Sequence, residues 1–144
     1  MSPFADQLKS YRIQRGLRQA ELAELVGYEQ SYVSALELGI KGPPTDEFVK
    51  HLIGVLNLSQ EEQETLREAV AASQRKINVP HESPTEVFWL CHKLRQQIDQ
   101  LHPIQIDLIE TALNLQLNFN LPANSAPTRI RRRYQKTNEM EAKM

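Results

Sequence analysis

The sequence predicts an all-α fold: five short helices forming one unit, then a helical hairpin. Three observations predict it. Apolar residues recur at helical spacing through most of the 144 residues. Polar or prolyl start signals precede these runs, and glycines close several of them. Only five glycines are present, while Leu, Gln and Glu are abundant, a helix-forming composition.

Ser2-Pro3 caps and opens the first helix, with proline at its first position. Phe4, Leu8 and Tyr11 share one face of it, and Gly16 ends it. Gln19 to Val26 forms the second helix, turning Leu22, Ala23 and Val26 inward, and Gly27 makes the turn. A third helix runs from about Gln30 to Leu38 and stops at Gly39. Thr45 caps a fourth, along which Phe48, Leu52, Val55 and Leu56 keep helical spacing. Ser59-Gln60-Glu61-Glu62 has the capping-box form and opens a fifth, continued by Leu66, Ala69 and Val70. These five helices form a predicted domain over residues 1–73, followed by a linker at 74–82.

Ser83-Pro84-Thr85-Glu86 repeats the capping-box form, with proline at the first helical position. Val87, Leu90, Cys91, Leu94, Ile98 and Leu101 give the sixth helix a broad apolar face. Pro103 breaks it and begins a seventh, with Ile106, Ile109, Leu113 and Leu117 on one face. Residues 113–121, LNLQLNFNL, alternate strictly, which taken alone is a strand signal. Helix to about residue 117 is the expected outcome. A strand over 113–121 that pairs across a dimer is the competing reading. Residues 83–121 thus read as a helical hairpin, and 122–144 as a basic flexible tail.

Composition excludes several classes. The net charge is −1, so the chain as a whole is not a basic nucleic-acid binder. Its charge is uneven: residues 129–144 hold six basic and two acidic side chains, whereas residues 1–79 hold nine and eleven. Cys91 is the only cysteine, which rules out an intrachain disulfide and a cysteine cluster for metal. His51, His81, His92 and His102 have no metal-ligand spacing with it, so neither metal nor cofactor is expected. No apolar run approaches about 18 residues, and Pro3, Asp6 and Gln7 interrupt any signal-peptide core. A cytoplasmic protein without a membrane partner is expected. No nucleophile motif, glycine-rich phosphate loop or paired-acid constellation is present, so no enzyme is expected.

The third helix offers Gln30, Ser31, Tyr32 and Ser34 outward with almost no charge. A solvated face is normally richer in Lys and Glu. Short polar donors and acceptors suit a surface that fits closely against something else. Around them, Gln19, Ala23, Gly27, Val33 and Leu36 stand at helix-turn-helix offsets. Ala23 allows a close crossing, Gly27 supplies the turn, and Val33 and Leu36 lock the third helix inward. The run GLRQAELAELVGYEQSYVSALELGIKGP, Gly16 to Pro43, resembles the Cro/lambda-repressor type of helix-turn-helix domain. That family is also called the xenobiotic-response-element family, and the resemblance covers residues 4–58.

The resemblance implies a five-helix lambda-repressor-like DNA-binding domain. It implies that Gln30, Ser31, Tyr32 and Ser34 read bases, Gln30 pairing with an adenine edge. It also implies phosphate contacts from Gln19, Arg12, Arg15, Arg18 and Lys41. For Arg12, an ion pair with Glu37 between helices is the competing expectation. Two positions depart from the family pattern. Arg18 stands where Ser or Thr often caps the second helix, and Glu29 where Ser or Thr precedes the recognition-helix Gln. Glu29 suits the positive helix end, and at DNA it could read a cytosine amino group or repel a phosphate.

The hairpin is apolar beyond what two helices can bury alone. Phe88, Trp89, Leu94, Ile98 and Leu101 are the candidate dimer or partner surface. The expected function is a sequence-specific transcription regulator on double-stranded DNA, acting as a homodimeric repressor. The alternative is an antitoxin or adaptor that binds a protein partner through residues 84–121 and autoregulates through DNA. A third reading puts a small-ligand pocket near Trp89, although no polar cluster there would select a ligand. Arg129, Arg131, Arg132, Arg133 and Lys136 surround Tyr134. They could lie along phosphate or enter the minor groove, or simply solubilise the chain.

Overall fold

A computed structural model describes residues 1–119, which form seven α-helices and no strand. The 113–121 alternation therefore lies on helix as far as Phe119, and the strand reading fails there. Residues 120 and 121, and the expected tail at 122–144, lie outside the described residues. The chain divides into two units, Met1–Ile77 and Asn78–Met144.

The first unit holds α1 (Pro3–Gln14), α2 (Gln19–Val26), α3 (Gln30–Glu37), α4 (Asp46–Leu56) and α5 (Gln60–Ala72). Local chemistry sets their ends. Ser2 Oγ accepts the Ala5 N–H at 3.2 Å, and Thr45 Oγ1 accepts that of Phe48 at 3.3 Å. Ser59 and Glu62 complete a reciprocal capping box at the start of α5. Arg18 precedes α2 but its side chain has no acceptor, so only the Glu21 carboxylate caps there, taking the Arg18 N–H at 2.7 Å. Gly27 ends α2 at φ +76°, a left-handed conformation that glycine takes without a Cβ clash.

Phe4, Leu8, Leu22, Val33, Leu36, Phe48, Leu52 and Leu66 form the centre of this unit and are essentially solvent-free. They come from all five helices, so the core is shared by the whole unit. Polar ties hold α5 to the rest. The Tyr11 hydroxyl donates to the Glu62 carbonyl at 3.2 Å. Arg15 donates through Nε to the Leu56 carbonyl at 2.7 Å and through a terminal nitrogen to Glu62 at 3.0 Å. Ser73 Oγ accepts the Phe4 N–H at 2.9 Å, joining the end of α5 to the start of α1.

In the second unit, α6 spans Thr85–Gln97 and α7 spans Pro103–Phe119. The capping box expected at Ser83 does not form. Helix α6 begins one residue later, with Pro84 extended at its cap position and Thr85 first in the helix. That offset places Glu86 one position too early to reach back to Ser83. At α7, His102 provides the cap: its N–H donates to Gln105 Oε1 at 2.8 Å, and its Nδ1 accepts from Ile104 at 3.2 Å. No residue of α6 is buried. Leu90, Leu94, Leu101, Leu108 and Ile109 line an open, mostly apolar groove, to which Lys93, Gln97 and Gln105 also contribute. No helix among the described residues is long and apolar enough to cross a membrane.

Candidate nucleic-acid interface

Helix α3 is the centre of the candidate site, and its two faces do different work. Val33 and Leu36 are fully buried and seat the helix in the core. Gln30 and Ser31 are exposed, while Tyr32 and Ser34 are half-buried. The outward face therefore carries an amide and two hydroxyls with rotatable donors and acceptors, and one aromatic ring. Such groups can match base edges by hydrogen bonding without introducing a charge.

Tyr32 is more constrained than a free reader would be. Its ring stacks on Tyr28 at 5.2 Å and packs nearly perpendicular to the Phe48 ring at 5.5 Å. The Lys41 ammonium lies 5.6 Å from the Tyr32 ring centroid. Burial raises the Tyr32 hydroxyl above its ordinary pKa, with Tyr28 adding to the shift. The residue stays a neutral phenol whose ring is fixed by the core wall. Beside it, Glu29, Ser31, Ala35, Lys41, Thr45 and Glu47 line a shallow recess between α3 and the start of α4.

A buried polar cluster braces α3 from behind. Glu37, at the last position of the helix, is 4% exposed. Its carboxylate accepts from Arg12 Nε at 2.6 Å, from a terminal Arg12 nitrogen at 3.0 Å and from Gln19 Nε2 at 2.8 Å. Arg12 also donates to the Leu17 carbonyl at 2.7 Å. The bond to Glu37 raises the Arg12 pKa above its already high ordinary value, against the opposing effect of burial. A buried carboxylate needs this degree of compensation. The cluster ties together α1, the start of α2 and the end of α3.

These bonds redistribute the residues expected at phosphate. Arg12 turns inward to Glu37, its competing expectation, with a side chain 12% exposed. Arg15 turns to Glu62 and the Leu56 carbonyl, and its guanidinium lies 5.5 Å from the Tyr11 ring centroid. Gln19 gives its amide nitrogen to Glu37 rather than projecting it. Arg18 and Lys41 are exposed. Sequence reasoning missed Arg75, which donates to the carbonyl oxygens of Gly39 and Ile40 just past α3. Its partners lie 35 and 36 residues away, and no local pattern signals such a pairing. The proposed hairpin surface separates too: Phe88, Trp89 and Ile98 are exposed, while Leu94 and Leu101 are half-buried along the groove.

A helix-turn-helix domain family matches residues 3–66. Two curated relatives are similar to part of the chain, each described as HTH-type transcriptional regulator SinR. They come from Bacillus subtilis (strain 168) and Bacillus licheniformis, and each is 34% identical over 56 residues. That stretch is 39% of this chain and 50% of each relative, so the chain spans about half the length of the curated relatives it matches. No solved structure gives a significant match. Core, turn and braced third helix agree with these matches: residues 3–66 are similar to a helix-turn-helix domain, and part of the chain is similar to HTH-type transcriptional regulators.

Proposed function

We propose that the chain is a sequence-specific DNA-binding transcriptional regulator that acts as a dimeric repressor. The observation that carries this reading is the uncharged polar face of α3, held by the buried Glu37–Arg12–Gln19 cluster. Preorganisation matters here because base readout depends on hydrogen-bond geometry. In the proposed complex α3 enters the major groove. Gln30 takes an adenine edge, Ser31 and Ser34 take neighbouring acceptors, and Tyr32 presents its edge to a thymine methyl or a phosphate. Arg18 and Lys41 contact phosphates on either side. Arg12, Arg15 and Gln19 act as scaffold. Occupying a promoter would repress it without any cofactor.

The exposed apolar side chains of α6 and α7 support a dimer. Trp89 is 67% exposed and Leu113 72%, a costly display in water. A two-fold pair of chains would bury these surfaces and match two half-sites. Selection from a random duplex pool by the full chain tests both parts. A two-fold motif, lost with Gln30→Ala/Ser34→Ala, is the expected result. A pool left unenriched would reject direct readout by α3.

The same exposed surface favours one second reading, an antitoxin or adaptor that holds a protein partner through residues 84–121. Sedimentation separates the two. The repressor reading expects a dimer that Ile98→Asp disperses, whereas the adaptor reading expects a monomer until its partner is added.

A further inference from the structure

Arg75 has no part in the base-reading face, yet it is tied to the turn that carries Lys41. Its guanidinium donates to the Gly39 carbonyl and, at 3.5 Å, to that of Ile40. These are the two residues before Lys41. The same turn folds back on α3, because the Ile40 and Lys41 N–H groups both donate to the Ala35 carbonyl, at 3.0 and 3.2 Å. Helix α3 has no basic residue in its last turn. Arg75 therefore supplies the cation that the carbonyl end of a helix favours. The segment that delivers Arg75 is itself anchored. Two residues earlier, buried Ser73 accepts the Phe4 N–H at 2.9 Å and donates to the Ala69 carbonyl at 2.6 Å. Ser2, at the start of α1, comes close to Gly39, where a Cβ would lie 3.6 Å from the Ser2 nitrogen. The start of α1, the end of α5 and the turn after α3 thus meet within the first unit.

A lysine neutralises a phosphate only from the right place, and Lys41 stands on a turn flanked by Gly39 and Gly42, both at positive φ. Such a turn has many backbone conformations open to it when free. Two carbonyls held by one guanidinium remove much of that freedom. The turn as held puts the Lys41 ammonium 5.6 Å from the Tyr32 ring centroid, beside the outward face of α3. We infer that Arg75 is a positioning residue for DNA binding: it holds the 39–41 turn so that Lys41 meets its phosphate while α3 reads bases. The inference rests on the DNA-binding reading above and deepens it. Arg75 acts through Lys41 and does not itself touch the duplex, because its guanidinium is given to the two carbonyls.

The test measures binding to the selected duplex between about 50 and 200 mM salt for the full chain, Lys41→Gln, Arg75→Gln and the double variant. Arg75 is exposed, so its replacement leaves the core intact. One lost phosphate contact makes the slope of log affinity against log salt shallower by about 0.9. The expected result is that shift in Lys41→Gln, nearly the same shift in Arg75→Gln, and no further shift in the double variant. Preference between the selected duplex and one altered at the proposed adenine stays unchanged, since phosphate contacts carry no sequence information. A shift in Arg75→Gln below about half a unit overturns the inference, even with a lowered urea midpoint, because Arg75 would then serve stability alone. A double variant shallower than Lys41→Gln by about half a unit or more also overturns it, since Arg75 would then meet a phosphate of its own. So does a loss of base preference in Arg75→Gln, which would mean that Arg75 orients the whole of α3. Failure of the DNA-binding reading looks different: the unsubstituted chain would then bind selected and unrelated duplexes alike at every salt, or bind neither.

Discussion

Phe48 and Phe88 sit on helices of similar length, α4 with 11 residues and α6 with 13, and their surroundings are opposite. Phe48 is completely buried, with the rings of Tyr28 and Tyr32 packed nearly perpendicular to it. Phe88 is 42% exposed. Helix propensity does not separate them. What differs is the company each helix keeps within its own unit. Five helices of the first unit point apolar faces at one centre, whereas the described part of the second unit offers two helices and one open groove. A helix of about 12 residues is marginal in water by itself, so α6 needs packing of the kind that α4 has within its own unit. The first unit has the interior of a self-sufficient domain, whereas the described part of the second leaves large apolar side chains such as Trp89 and Leu113 exposed.

The strongest way to break this contrast is to truncate one large apolar residue in each unit. Phe48→Ala should destabilise the first unit by about 3–5 kcal/mol, since it removes a buried ring and leaves a cavity. Trp89→Ala should leave that unit's denaturation within about 0.5 kcal/mol of the unsubstituted chain. Urea titrations followed by circular dichroism read both. Equal losses would show that the two units are not distinct in the way described.

Polar burial sharpens the same contrast. Glu37→Ala should cost about 3 kcal/mol, because it strands the Arg12 guanidinium in the interior. The double variant Arg12→Met/Glu37→Leu should recover most of that loss, since two apolar side chains leave no buried charge unpaired. A double variant no better than the single one would remove the desolvation argument.

Cap effects are smaller. Ser59→Ala should cost about 1 kcal/mol by removing the acceptor for the Glu62 N–H. Its carboxylate partner gives a pH signature. The Ser59 backbone N–H, and secondarily Arg15, hold the Glu62 carboxyl below its ordinary value of 4.5. A lowered acid stabilises the fold while ionised in both states, so its contribution is full above 4.5 and fades as pH falls through the lowered value. Glu62→Gln should therefore lower the urea midpoint at neutral pH, and the difference should shrink on acidification. A difference that stays constant would place the effect outside this carboxylate.

What was legible in the sequence was mostly local. Ser2, Thr45 and Ser59 mark helix starts because their partners are three residues away. Apolar spacing along α1 to α5 is likewise a property of neighbouring turns. The box expected at Ser83 failed even at this scale, because the helix start shifted by one residue at Pro84. Long-range polar pairings were harder to see. The Arg12–Glu37 pair could be anticipated as an alternative, but nothing in the local pattern assigns Arg15 to Glu62, 47 residues on, or Phe4 to Ser73, 69 on. This is why the candidate phosphate residues changed more than the candidate base readers did. Exposure of Gln30 follows from periodicity alone, whereas the direction of an arginine depends on which carboxylate the fold brings near.

The central claim is that α3 reads bases while the cluster behind it only holds it in place. Competition between the selected duplex and one altered at the adenine proposed for Gln30 tests this most directly, using the full chain and Gln30→Ala. A bidentate amide–adenine pair is worth about 1–3 kcal/mol, or roughly 5- to 150-fold in preference. The account predicts that Gln30→Ala loses preference at that base pair, keeps it at the others, and retains the native stability. Unchanged preference at every position would contradict it.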